Sequence, residues 1–263
     1  MIEKAPTPIP EVNALLRELV TRIQDILNRN FLAAYLQGSF AIGDWDNDSD
    51  IDFIVATDHD VSDAELAALQ AMHGTIYDLD SDWAKHLEGS YFPKDLLRKN
   101  DPERTPLLFL DNTFRELIRS DHCNNLVVRW AVRECGITLA GPPPSELIDP
   151  VSADDLRQEI RGTMRDWAQD LFANPEQVGN RWFQPYAVLS YCRMMHTLQT
   201  GRIESKLAGA EWAKTALDPR WTGLIERAWK ERPNPSSKVR QPADKNDLES
   251  TFAFIRYALD VSL

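Results

Sequence analysis

The protein has 263 residues, with 41 Asp and Glu against 29 Lys and Arg, which gives a formal net charge of -12 at pH 7. This length suffices for one large or two small domains with a buried core. Hydrophobic residues at 43% and charged residues at 27% are ordinary values for a globular chain and exclude a disordered or fibrous protein. Because the negative charge repels a phosphate backbone, we expect no nucleic-acid partner.

The three cysteines stand far apart and belong to no Cys-x-x-Cys or Cys/His cluster, so the sequence predicts neither a disulfide framework nor a zinc site. We expect buried, reduced thiols at Cys123, Cys135 and Cys192, and therefore a cytoplasmic location. No apolar stretch approaches the roughly 20 residues of a membrane-spanning helix, so no membrane partner is expected. A monomer is also expected.

The first half of the chain combines helical and strand patterns. Apolar residues recur at helical spacing from Leu15 to Leu27 and predict an amphipathic helix. Two apolar runs, 31–37 and 51–57, predict adjacent strands, and the second run is rich in β-branched residues. Ser62 with Glu65 has the pattern of a capping box, which predicts a helix start, and a further strand is expected over 87–92.

From about residue 150 the pattern is helical throughout. Gly141 is followed by three prolines, a stiff break that precedes this change. The sequence therefore predicts an α+β protein: an N-terminal domain, residues 1–150, with a small mixed sheet and flanking helices, and an α-helical bundle domain, residues 151–263. Helices are predicted over 153–173, 182–200, 206–217, 221–231 and 245–261.

Five Asp residues fall within the nine positions from Asp44 to Asp52. The first three alternate with polar or aromatic residues and are typical of a solvated turn between strands. Asp50 and Asp52 instead alternate with Ile51 and Phe53 at the start of an apolar strand, so both carboxylates project from one face. Two such neighbouring carboxylates repel each other unless a cation lies between them. The pair therefore indicates a divalent metal site.

Magnesium suits this pair better than calcium. An EF-hand loop beginning at Asp46 would need Gly where Ile51 stands and Glu where Thr57 stands. Magnesium takes one or two carboxylates and completes its shell with water and substrate phosphates. Gly38 permits close backbone approach and Ser39 offers a hydroxyl and an amide, so this pair, just after the first strand, can cradle a phosphate.

A Gly-Ser pair, about ten residues and then Asp-x-Asp resembles the pattern of the nucleotidyltransferase superfamily related to DNA polymerase β. In that superfamily a later strand supplies a third carboxylate, for which Glu88 is the candidate. The second half resembles the aminoglycoside adenylyltransferases that modify streptomycin and spectinomycin. This resemblance rests on Gly141-Pro142, on the run 147–151 and on the segment from Thr200 to Ala213.

The resemblance implies a reaction and a set of roles. It implies transfer of AMP from ATP to a hydroxyl of a cationic aminoglycoside, with two Mg²⁺ ions and release of pyrophosphate. Asp50, Asp52 and Glu88 would hold metal, and Glu88 would also act as the general base. Residues 31–83 contain no Lys or Arg, so phosphate-binding cations must come from elsewhere in the chain. The matched positions are Arg193 and Lys206 for the phosphates and Trp229 near the nucleotide.

The sequence leaves the acceptor open. The streptomycin enzymes carry acidic residues before the helix of the matched arginine, where this chain has the run from Arg181 to Tyr186. Two other functions stay open: a nucleotidyltransferase acting on another small molecule or a protein, and a nucleotide sensor without catalysis. Candidate acceptor contacts are Asp166, Trp167, Asp170, Glu176 and Trp182, with Asp121 and His122 as a second group.

Overall fold

The computed structural model describes residues 5–232 and 241–262 of the chain. It contains two compact units, Met1–Val151 and Ser152–Leu263. The domain boundary that the sequence predicts near residue 150 lies beside this division.

The first unit is built on a six-stranded mixed sheet with the strand order β5-β4-β3-β2-β1-β6. Strands β2 and β3 pair in parallel, and each other neighbouring pair is antiparallel. The elements are α1 Pro10–Leu27, β1 Phe31–Leu36, α2 Gly38–Ile42, β2 Ile51–Thr57, α3 Asp63–Tyr77, β3 Leu87–Pro93, α4 Lys94–Arg98, β4 Leu107–Leu110, β5 Leu117–Ser120, α5 Leu126–Cys135, β6 Ile137–Ala140 and α6 Pro144–Leu147.

Alternation along β2 divides the core between the two faces of the sheet. Ile51, Phe53 and Val55 pack with apolar residues of α1 and α3 on one face. Ile54 and Ala56 belong to a second cluster on the other face, with residues of α4 and α5. Burial on both faces explains why β2 is apolar along most of its length.

Helix α3 begins with the predicted capping box. The Ser62 side chain accepts a hydrogen bond from the Glu65 backbone N–H, and the Glu65 carboxylate accepts from the Ser62 backbone N–H. These reciprocal bonds satisfy two amide groups that helix geometry leaves without partners. The predicted helix start is therefore confirmed.

The second unit consists of five helices in the part of the chain that is described: α7 Ala153–Ala173, α8 Phe183–Thr200, α9 Lys206–Ala216, α10 Thr222–Glu231 and α11 Lys245–Ser262. Each coincides with a predicted helix to within about a residue at either end. Helix α8 is central and packs against the other four. Together with the mixed sheet of the first unit, these helices confirm the predicted α+β fold.

Two hydrogen bonds tie α8 to its neighbours. The buried Tyr191 hydroxyl donates to the Met164 carbonyl of α7 at 2.9 Å. The Gln184 amide donates to the Thr251 hydroxyl of α11 at 2.6 Å. The Tyr191 hydroxyl and the Gln184 side-chain amide thus have partners, which avoids the cost of burying these two groups without a hydrogen bond.

Within residues 5–232 and 241–262, no helix is long and apolar enough to cross a membrane. The cysteines are free thiols, and Cys123 and Cys192 are buried.

A buried histidine makes the stability of the first unit depend on pH. His73 of α3 stacks on Phe53, and its Nε2 lies 2.7 Å from the Tyr91 hydroxyl. Burial lowers the pKa of His73 to about 3, whereas an unfolded histidine has a pKa near 6.5. Between these values only the unfolded chain takes up this proton, so the free energy of unfolding falls as the pH decreases.

We expect His73→Gln to remove this contribution, because glutamine does not titrate. Between pH 4 and 6, the slope of the unfolding free energy against pH should be smaller in His73→Gln than in the wild type, by about 1 kcal/mol per pH unit. Urea denaturation across this range measures the slope. His59→Gln, at an exposed histidine, serves as the control. An unchanged slope in His73→Gln would show that His73 is not held neutral in the folded protein.

Candidate active site

Three carboxylates lie on one face of the sheet, at the ends where the parallel strands β2 and β3 begin. Asp52 of β2 is the register partner of Glu88 of β3. Asp50 lies two residues before Asp52 and directly before the first strand residue, Ile51. Side chains two apart on an extended chain share a face, so all three carboxylates project on the same side. Each is half-buried and retains contact with solvent.

The turn after β1 brings the backbone against Asp52. The Gln37 backbone N–H donates to the Asp52 backbone carbonyl at 2.9 Å. Gly38 follows, with a positive φ of 65°, at the start of α2. A Cβ atom at Gly38 would lie 2.0 Å from Asp52 Oδ2. Glycine is therefore required twice, by the backbone conformation and by the carboxylate beside it. Ser39, the other predicted phosphate contact, lies in the same first turn of α2.

Asp50 accepts a hydrogen bond from the loop after β4, which the sequence analysis did not predict as part of the site. The Asn112 amide nitrogen donates to Asp50 Oδ1, and Asn112 Oδ1 lies 3.0 Å from His86 Nδ1. Both Asn112 and His86 are buried. The signal that could have indicated this loop is an Asp-Asn pair directly after the apolar run 107–110, which is typical of a strand followed by a turn.

His122 and Cys123 lie beside Glu88. His122 Nε2 is 3.8 Å from Glu88 Oε1, and the imidazole packs against Phe109 with ring centroids 5.3 Å apart. Burial raises the pKa of the Cys123 thiol to about 12, and the negative charges of Glu88 and Asp52 add to this increase. The thiol therefore stays protonated at neutral pH.

The donor set suits a hard divalent cation. Carboxylate oxygens on a face with a negative field are the ligands that Mg²⁺ prefers, and it needs only one or two of them from the protein. In the described part of the chain, no three His, Cys, Asp or Glu side chains converge into a metal-ligating group. The pair of Asp50 and Asp52 fits the ion with substrate phosphates completing the shell. The role of Glu88 as a further metal ligand stays a prediction.

Asp46, in the loop before Asp50 and Asp52, stabilises the turn through its side chain. Asp46 Oδ1 accepts hydrogen bonds from the Asp48 backbone N–H at 3.0 Å and from the Ser49 hydroxyl at 3.1 Å. Such bonds shape a turn, as the sequence indicates for this loop.

In the second unit, Arg193 and Lys206 lie on facing helices. Gly209 of α9 packs so closely on α8 that its Cβ would lie 2.8 Å from Arg193 Cα. Lys206 is one turn before Gly209 on α9, and its Nζ lies 5.5 Å from the centre of the Tyr186 ring on α8. Tyr186 and Arg193 are two turns apart on α8. Arg193 and Lys206 therefore lie on two helices that pack closely against each other, and their phosphate-binding roles stay predictions.

Trp229 occupies a different part of the second unit. It lies on α10, beneath the Arg232 guanidinium at 4.5 Å from the ring centre. Trp229 lines a cavity of about 260 Å³ together with Ala210 and Lys214 of α9. No contact between Trp229 and either predicted phosphate-binding cation is seen among the described residues, so its nucleotide role stays a prediction.

Trp167 and Trp182, predicted as acceptor contacts, belong to an aromatic cluster of α7 and α8. Trp167 stacks on Tyr191 with centroids 5.4 Å apart, and Trp182 stacks on Tyr186 at the same distance. Asp166 and Asp170 are on the exposed side of α7, and Glu176 is exposed in the connection to α8. The rings of Trp167 and Trp182 therefore pack in one cluster, whereas the carboxylates of Asp166, Asp170 and Glu176 are exposed to solvent.

Two family models match complementary parts of the chain. The nucleotidyltransferase domain matches residues 16–108, and the aminoglycoside adenylyltransferase C-terminal domain matches residues 146–258. The chain thus combines a match to the nucleotidyltransferase domain with a match to the aminoglycoside adenylyltransferase C-terminal domain, each over less than half of its length. The predicted family and the prediction of an enzyme are both confirmed.

Curated relatives match along most of their length. An aminoglycoside (3'') (9) adenylyltransferase of Shigella flexneri is 24% identical over 229 residues, which cover 84% of this chain and 85% of the relative. A spectinomycin 9-adenylyltransferase of Campylobacter jejuni is 22% identical over 231 residues, with 84% and 85% covered.

A solved structure shares the fold. The spectinomycin adenyltransferase AAD(9) from Enterococcus faecialis, solved with ATP and spectinomycin, superposes with a TM-score of 0.70. The match covers 94% of this chain and 98% of that one at 13% sequence identity. At this sequence identity, the comparison shows that the two proteins share a fold.

We expect Gly38→Ala to lower nucleotidyl transfer by about a hundredfold, because an added Cβ would displace the Asp52 carboxylate and a misplacement near 1 Å has that cost. Gly43→Ala is the matched control: Gly43, directly after the end of the same short helix, has a φ of 84°, but its Cβ would meet nothing within 4 Å. Both variants bear the strain of a left-handed alanine, roughly 1 to 2 kcal/mol. Equal turnover by the two folded variants would contradict the contact with Asp52.

Proposed function

We propose that the protein transfers AMP from ATP to a hydroxyl of an aminoglycoside antibiotic, streptomycin and/or spectinomycin, and releases pyrophosphate. The acceptor oxygen forms a bond to the α-phosphorus, and the bond from that phosphorus to the β-bridging oxygen breaks. The observation that carries the proposal is the register of Asp52 against Glu88 beside Gly38, in a chain that matches both family models.

Asp50, Asp52 and Glu88 would hold magnesium, with two ions proposed. Bound there, Mg²⁺ neutralises charge on the triphosphate and lowers the cost of charge on the attacking and leaving oxygens. Glu88 takes the proton of the acceptor hydroxyl as general base. Gly38 and Ser39 bind phosphate oxygens through the backbone and the hydroxyl.

Arg193 and Lys206 supply positive charge to the triphosphate. The argument is one of charge balance: residues 31–83 contain no Lys or Arg, and metal ions neutralise a triphosphate only in part. In support, Arg193 and Lys206 lie on α8 and α9, two helices that pack closely at Gly209. Trp229, with a half-buried indole, is proposed to contact the nucleotide.

A polycationic acceptor agrees with the charge of the protein. The net charge of -12 favours cations, and relatives named for aminoglycosides and for spectinomycin match over most of the chain. The aromatic cluster with Trp167 and Trp182 and the exposed Asp166, Asp170 and Glu176 are the proposed acceptor contacts. We propose that the enzyme acts in the cytoplasm, in keeping with its free thiols, and the monomeric state stays a prediction.

The two other functions predict different behaviour. An enzyme for another small molecule or a protein would release pyrophosphate only with that acceptor. A sensor would bind ATP without any turnover. Glu88 favours an enzyme, because a protein that only binds ATP has no use for a base on the face of Asp52.

The acceptor is tested by measuring pyrophosphate release with ATP and Mg²⁺ across aminoglycosides, spectinomycin and neutral alcohols. We expect turnover with streptomycin or spectinomycin and none with neutral alcohols. Because exposed charges attract the drug, the KM for streptomycin should rise as salt shortens the Debye length from about 10 Å at 0.1 M ionic strength. Intact MgATP binding without turnover on any drug would reject the antibiotic as acceptor.

We expect Glu88→Gln to lower kcat by at least a factor of about 100 while the Kd for ATP changes little, because a general base acts on the proton rather than on binding. Single-turnover rates at saturating ATP and calorimetric ATP titration measure the two quantities. Glu103→Gln, at an exposed loop position, is the control. A wild-type rate in a Glu88→Gln protein saturated with ATP would remove the base from this residue.

A further inference from the structure

Asp50 is the one proposed metal ligand of the three that lies outside a strand. Asp52 and Glu88 are fixed by the paired backbones of β2 and β3. Asp50 comes before Ile51, at the end of the turn that Asp46 and Ser49 form. Its side chain direction therefore depends on contacts other than the sheet ladder, and the bond from Asn112 is such a contact.

We propose that Asn112 is a positioning residue for metal binding at Asp50, with its amide oriented by His86. The proposal rests on the proposed function, in which Asp50 holds magnesium. Nothing in the reaction itself requires an asparagine, so the role follows from the contacts alone.

The hydrogen bonds define how the amide is turned. A carboxylate only accepts hydrogen bonds, so the atom of Asn112 that faces Asp50 is the NH₂ group. Asn112 Oδ1 then faces His86 Nδ1, which must carry a proton and donate at 3.0 Å. Without a donor at His86, the Asp50 carboxylate alone would hold the amide in this orientation, and Asn112 Oδ1 would lose its partner.

The backbone holds both partners in place. The Ile51 amide donates to the His86 carbonyl at 2.8 Å, which joins the start of β2 to the residue before β3. The Thr113 amide donates to the Lys85 carbonyl at 3.0 Å, which fixes the loop after β4. Asn112 and His86 are 8% and 9% exposed, so water cannot readily replace either bond.

The chain from His86 through Asn112 to Asp50 thus restrains a carboxylate before metal arrives. Asn112 bonds to one of the two carboxylate oxygens of Asp50, Oδ1. Outer partners of this kind orient metal ligands, and their loss typically weakens metal binding by a factor of about 10 to 100.

The test is Mn²⁺ binding to the full chain, followed by electron paramagnetic resonance with an ATP analogue that carries a methylene bridge between the α- and β-phosphates. No transfer occurs, so binding is measured apart from activity. We expect Asn112→Ala to raise the Kd for Mn²⁺ by about tenfold. Asn13→Ala is the matched control, because Asn13 is also a buried asparagine but bonds to Thr7.

Substitutions at His86 test the orientation of the amide. His86→Leu removes the donor and is expected to raise the Kd for Mn²⁺ severalfold. His86→Asn can place an amide donor near the position of Nδ1 and should restore binding to within about a factor of two of wild type. In kinetics, Asn112→Ala should raise the Mg²⁺ concentration for half-maximal rate more than it lowers kcat at saturating Mg²⁺.

The outcomes separate the two proposals. Loss of Mn²⁺ binding in Asp50→Asn, with wild-type binding in both Asn112→Ala and His86→Leu, would overturn the positioning role alone. Wild-type binding in Asp50→Asn, or no Mn²⁺ binding by the wild-type chain, would overturn the proposed metal site and the positioning role with it. If Asn112→Ala does not fold, the contrast between His86→Leu and His86→Asn decides.

Discussion

The parallel pairing of β2 and β3 is the constraint on which the proposed chemistry depends. Their register places Asp52 opposite Glu88, and alternation along the chain places Asp50 on the same face. Carboxylates on the same face of neighbouring strands repel each other unless a cation lies between them. On the opposite face of β2, Phe53 and its apolar neighbours are buried in the core under α1 and α3. This burial stabilises the strand that carries Asp52.

The other features of the first unit adapt to that pairing. Gly38 has no side chain because the Asp52 carboxylate occupies the space where one would lie. Asn112 reaches Asp50 from the loop after β4, which is itself a neighbour of β3 in the sheet. The negative field extends to the Cys123 thiol, whose pKa is raised by burial and by Glu88 and Asp52. A cation at this face would reduce the repulsion between the carboxylates.

Much of the fold could be predicted from the sequence, because its signals are local. The apolar runs that became β1 and β2, the capping box at Ser62 and the five helices after residue 150 depend on near neighbours along the chain. Strands β4, β5 and β6 are four residues long, too short for a period to be distinct. The buried Arg129 in α5 also departs from the rule that charged residues face solvent.

The candidate site could be predicted only in part. Alternation indicated that Asp50 and Asp52 share a face. The Asp-Asn pair after the apolar run 107–110 indicates a turn, but the contact of Asn112 with Asp50 depends on the pairing of β3 with β4. In the second unit, the contact of Gly209 with Arg193 depends on the close packing of α8 and α9. Long-range contacts of this kind become visible only in the folded chain.

The most direct measurement for the central claim is a crystal structure with Mn²⁺ and a non-reactive ATP analogue, in which anomalous scattering locates the metal. The register of β2 and β3 predicts an anomalous peak within coordinating distance of Asp50 and Asp52, with analogue phosphate oxygens completing the shell. A bound analogue whose Mn²⁺ peak lies away from both carboxylates would contradict the claim that this pair is the metal site.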